Sequence, residues 1–101
     1  MNPEELHNQR ELEEEILHYV REMERQAPVT VETLLGYLQQ VRRRRVLRSE
    51  LEDRLLYLVK AGQLERKVEW QDGDDFEWFE VTRAGMDRLD GVTPPPGWRP
   101  R

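Results

Sequence analysis

Apolar side chains recur at three- and four-residue spacing from Pro3 to about Arg25, where Leu6, Leu12, Ile16, Leu17, Tyr19, Val20 and Met23 stand among glutamates. That spacing predicts an amphipathic first helix with a heavily charged outer face. Leu6 is the one sizeable apolar group in residues 4–11, so the first two turns are expected to project beyond the core or to meet a partner. Gln26-Ala27-Pro28 ends the pattern, because a proline disfavours helical backbone in the residue before it. Val29 serves as a short extended link, and Thr30 caps a second helix with apolar positions Val31, Leu34, Leu35, Leu38 and Val41.

A third helix is predicted from Ser49, where Ser49-Glu50-Leu51-Glu52 fits a reciprocal capping box. Leu51, Leu55, Leu58 and Val59 fall on one face with Tyr57 beside them, and Gly62 can take the left-handed conformation that closes a helix. Leu64, Arg66, Val68 and Trp70 then alternate as a strand does, Asp72-Gly73 makes a hairpin turn, and residues 76–81 return. In the returning strand Phe79 and Val81 share one face and Phe76 and Trp78 the other. Thr82 caps a short last helix carrying Met86 and Leu89, which Gly91 stops. The expected organisation is a helical extension over 1–11, one domain over 12–91 and an extended Pro/Arg-rich tail over 92–101.

This is an α+β pattern of three helices, a two-stranded hairpin and a short C-terminal helix, in the order of a winged helix-turn-helix. The residues Ser49-x-Leu51-x3-Leu55-x2-Leu58-x3-Gly62-Gln63-Leu64-Glu65-Arg66, and after the hairpin Trp78-Phe79-Glu80-Val81-Thr82-x2-Gly85-x3-Leu89, carry a family likeness. The chain resembles small bacterial and phage winged-helix regulators of the PadR, MarR and ArsR kind, most closely over 47–66 and 78–89. The resemblance implies a cytoplasmic DNA-binding transcriptional regulator, acting as a homodimer. It places the third helix in the major groove by its N-terminal half, with Arg48, Glu50, Asp53 and Arg54 nearest the base edges and Ser49 also among the DNA-binding residues.

Composition narrows the field. The 101 residues are 37% hydrophobic and 37% charged, enough for one small core. No apolar run approaches the roughly 18 residues of a membrane span, and Met1-Asn2-Pro3-Glu4-Glu5 lacks the basic and apolar regions of a secretion signal. An unexported, non-membrane protein is expected. There is no cysteine, hence no disulfide or thiolate site. No nucleophile stands with a base, and no glycine loop or metal-spaced cluster occurs, so neither enzymatic activity nor a metal or cofactor is expected. His7 and His18, eleven positions apart, are expected on the polar face of the first helix.

The net charge of −5 is segregated: −5 over residues 1–26, −1 over 27–41, +5 over 42–68, −6 over 69–81 and +2 over 82–101. Five arginines, Arg42, Arg43, Arg44, Arg45 and Arg48, fall within seven residues just before the third helix. They could position double-stranded DNA through its phosphates. They could equally pair with an acidic surface, for which Glu11, Glu13, Glu14 and Glu15 are available. Glu50, Glu52 and Asp53 oppose phosphate, and the hairpin, with Asp72, Asp74 and Asp75 between Glu69, Glu77 and Glu80, should repel a duplex. A second reading is therefore a protein-interaction module in a larger assembly, with Trp70, Phe76, Trp78 and Trp98 as interface residues.

Overall fold

Asn2 accepts the backbone N–H of Glu5 across 2.8 Å and starts α1 (Pro3–Met23). The structure, a computed structural model, describes residues 2–91. Residues 3–8 of α1 are exposed, and the buried stretch begins at Leu12. At Val29 the chain is extended, and Phe79 N donates to Val29 O across 2.9 Å. Thr30 and Thr33 then cap α2 (Val31–Gly36) reciprocally, Thr33 N donating to Thr30 Oγ1 at 3.2 Å and Thr30 N to Thr33 Oγ1 at 3.0 Å.

The second helix does not continue regularly. A π-helical turn occupies Tyr37–Val41, and its wider winding carries Val41 off the buried face. Val41 is exposed, not part of the core as its spacing predicted. After the turn the chain is fixed by Arg44 N to Leu38 O at 2.9 Å and by Gln39 Nε2 to Val46 O at 2.9 Å.

α3 (Arg48–Lys60) begins two residues earlier than the predicted Ser49 cap implies, with Leu47 at the N-cap. Ser49 is an exposed residue of the first turn and is not the cap. The opening is secured from the other side: Glu50 accepts the backbone N–H of Leu47 across 3.1 Å, and a carboxylate there also suits the helix dipole. β1 (Leu64–Gln71) and β2 (Asp74–Val81) pair antiparallel from Leu64↔Val81 to Gln71↔Asp74. Asp72 and Gly73 both have positive φ, as a tight two-residue hairpin turn requires.

α4 (Arg83–Asp90) is capped by Thr82, whose Oγ1 accepts from Gly85 N and donates to Gly62 O. Gly85 is where close approach was expected. A Cβ there would collide with the Gln63 carbonyl oxygen and lie 2.7 Å from Val81 Cγ1. The described chain is thus α+β, with four helices and one two-stranded hairpin. Its core joins Ile16, Leu17 and Val20 of α1 to Leu34, Leu38, Leu51, Leu55, Leu58, Leu64, Phe79 and Leu89.

α1 is the central helix, because α3, α4 and β2 all pack on it. Being enclosed on several sides, it buries more than one apolar stripe: Glu13, Glu15 and His18 are also buried. The expected charged outer face is therefore partly interior. His18 in particular is not a polar-face residue, whereas His7 is exposed, 3.7 Å from Glu11.

Candidate functional site

Burying a carboxylate is costly unless the charge is paired and hydrogen-bonded, and each buried glutamate of α1 receives two arginines. Arg42 Nε donates to Glu15 Oε2 at 3.0 Å, and Arg44 Nε donates to Glu15 Oε1. Arg54 Nη1 donates to Glu13 Oε2 at 2.6 Å and Arg88 Nη1 to Glu13 Oε1 at 3.1 Å. The outer carboxylates extend the network, with Arg44 Nη2 2.9 Å from Glu11 Oε1 and Arg88 Nη2 3.4 Å from Glu14 Oε2. Much of the charge separated along the sequence is thereby neutralised inside the fold.

This places the arginines of the basic segment in three settings. Arg42, Arg44 and Arg54 lie against α1, and Arg54 also stands 5.0 Å from the Tyr57 ring centroid. Arg48 is exposed and bridges Glu32 at 2.8 Å and Glu52 at 3.1 Å. Its hydrogen bond holds the Glu32 carboxyl below the usual range, and Glu32 and Glu52 raise the guanidinium pKa in turn. Arg43 and Arg45 are exposed and have no ion pair among the described residues. Ser49, Glu50 and Asp53 are exposed on α3, with Glu50 engaged at the helix start.

The hairpin has the opposite balance. Glu77 pairs with Arg66 and Glu80 accepts from Trp78 Nε1 at 3.2 Å, but Glu69, Asp72, Asp74 and Asp75 are exposed without an ion pair among the described residues. The aromatic side chains expected to form one interface are divided between two faces. Phe76 and Trp78 are half-buried, with centroids 5.6 Å apart, beside the loop from Glu24 to Pro28. Trp70 lies on the other face, which the register assigns to Val68, Phe79 and Leu64 as well. It is 69% exposed and Val68 47%. Trp98 and the rest of the tail lie outside the described residues.

Sequence reasoning missed two groups. Arg88 was not paired with Glu13, and nothing short of the packing of α4 on α1 would pair them. Leu56 lies off the stripe of Leu51, Leu55 and Leu58 and is 54% exposed, an offset that the sequence spacing already carries. Among the described residues no group of three or more His, Asp or Glu is placed to hold a metal ion, and no helix is long and apolar enough to cross a membrane. The chain matches no protein-family model and no curated protein.

Proposed function

We propose that this chain is a winged helix-turn-helix module that acts by binding another protein. The winged-helix reading rests on the order of elements, with the Val29 bridge to Phe79 adding a rudimentary third strand to the hairpin. The observation that carries the function is the hairpin itself. Its outer half extends past the core, exposes Val68 and Trp70, and is surrounded by Glu69, Asp72, Asp74 and Asp75. An exposed tryptophan in an acidic setting suits a protein surface and opposes a phosphate backbone.

A duplex-binding regulator, the other reading, draws support from Arg43 and Arg45, which are exposed beside the start of α3. Arg42, Arg44 and Arg54 would have to leave the buried carboxylates of Glu15 and Glu13 to join them. Electrophoretic mobility of a mixed-sequence duplex at about 50 mM salt separates the two. No retarded species is expected, and a photo-crosslinking residue at position 70 should form a protein adduct in extract while one at position 43 does not. A duplex complex that disappears when Arg43 and Arg45 are changed to alanine would overturn the proposal.

A further inference from the structure

The face of the hairpin that carries Trp70 continues into a groove. Between α3 and the sheet lies a depression of about 230 Å³ whose apolar lining is Val31, Leu55, Leu56, Val59 and Phe79. Leu55 and Phe79 are buried and form its floor, while Leu56 stands up as a wall. Toward the hairpin turn the register adds Val68 opposite Glu77 and Trp70 opposite Asp75. Leu56, Val68 and Trp70, three of the large apolar side chains that the described residues leave exposed, therefore belong to the groove and its continuation along the hairpin. Patches of this kind mark interaction sites more often than isolated apolar residues do.

The rim selects among occupants. Glu52 and Glu77 border the groove paired with Arg48 and Arg66, and toward the turn Asp75, opposite Trp70 on the same face, and Asp72 add carboxylates that have no ion pair among the described residues. An occupant with basic side chains flanking an apolar stripe would match both features. The walls are a helix surface and a sheet face, which present side chains, whereas the unpaired backbone groups of the two-stranded hairpin lie at its strand edges and not on this face. These walls offer side chains only, so an occupant must satisfy its own backbone hydrogen bonds, as a helix does.

Building on the protein-binding reading, we infer that the groove between α3 and the hairpin receives an amphipathic, lysine- or arginine-bearing helix of a partner protein. Leu56, Val59 and Phe79 contact its apolar stripe, Trp70 and Val68 cover its end, and Asp75 and Asp72 beside that end meet its cations. The contact resembles other helix-in-groove recognition, in which apolar anchors give affinity and rim charges give direction.

The test uses the whole chain and a fluorescein-labelled helical peptide of leucine and lysine, beside a leucine–glutamate peptide of the same length, read by fluorescence anisotropy at about 100 mM salt. Binding of the lysine peptide alone is expected, and Leu56→Asp should weaken it about tenfold or more. A second variant, Val68→Asp, guards against a local effect at α3, since both positions are exposed and folding is checked by circular dichroism. Attraction by negative charge alone would be unchanged or strengthened by either added carboxylate, and that result would overturn the inference. Equal binding of the glutamate peptide would overturn it too. A solution mass of two chains that falls to one in Leu56→Asp would assign the groove to a second copy, overturning this partner while leaving the protein-binding reading standing. Duplex binding through Arg43 and Arg45 would instead remove that reading itself.

Discussion

Arg88 and Glu13 are 75 positions apart in the chain, yet Arg88 Nη1 donates to Glu13 Oε1 across 3.1 Å. The contact closes α4 onto α1 and, with Arg54 on the other carboxylate oxygen, makes Glu13 a shared anchor for three helices. Its value is mainly conditional. A buried ion pair adds little over a well-packed apolar pair, but losing one partner leaves the other charge unsatisfied.

Glu13→Gln should therefore lower stability by about 3 kcal/mol, the lower end of the range for breaking a buried pair, because Arg54 and Arg88 each keep about a fifth of their side chain exposed. Urea unfolding followed by tryptophan fluorescence measures it. A loss below about 0.5 kcal/mol would mean that the carboxylate is not anchoring the helices.

Two glycines should respond in opposite directions. Gly85→Ala forces a Cβ against the Gln63 carbonyl and Val81, so a loss of about 2–3 kcal/mol is expected. Gly36→Ala meets nothing within 4 Å and keeps a right-handed helical backbone, with φ −59° and ψ −45°. It should stabilise by about 0.5–1 kcal/mol through helix propensity. Thermal unfolding of the two variants in one buffer gives the comparison.

His18 should make stability depend on pH. Burial holds its pKa below the usual value of about 6.5, and the nearby Arg21 cation acts in the same direction. As the pH falls, the unfolded chain takes up a proton at this residue before the folded chain does. Stability from the neutral imidazole is thus complete above about pH 6.5 and is lost as the pH falls through the lowered folded value. Urea midpoints at about pH 7.5 and pH 5 should differ less in His18→Leu than in the parent; equal differences would contradict the assignment.

Most of the local punctuation was legible because it rests on neighbouring residues, the predicted Ser49 cap, displaced to Leu47, being the exception. Thr30 and Thr82 cap their helices, Gly62 takes positive φ, Asp72-Gly73 turns the hairpin, and Gly85 permits close approach. What periodicity could not supply was the third dimension of α1. A helix enclosed by α3, α4 and β2 buries positions that a single-stripe reading assigns to solvent, which is why His18 was misplaced. Val41 was misplaced for a different reason, since a π-helical turn changes the angular step on which the spacing argument depends. At the candidate site, charge segregation identified both the arginines and the glutamates, but not which arginine meets which glutamate. Strand alternation separated Phe79 from Phe76 and Trp78, whereas the side of Trp70 follows only from the hairpin register.

Arg42 and Arg44 are held by α1, while Arg43 and Arg45 lie outside that network. A double-mutant cycle between Glu15→Gln and Arg42→Ala, scored by urea unfolding, tests this most directly, with Glu15→Gln and Arg43→Ala as the parallel cycle. Coupling of about 1 kcal/mol or more is predicted for the first and within about 0.3 kcal/mol of zero for the second. Coupling near zero in both cycles would contradict the account and return Arg42 to the surface cations available to DNA.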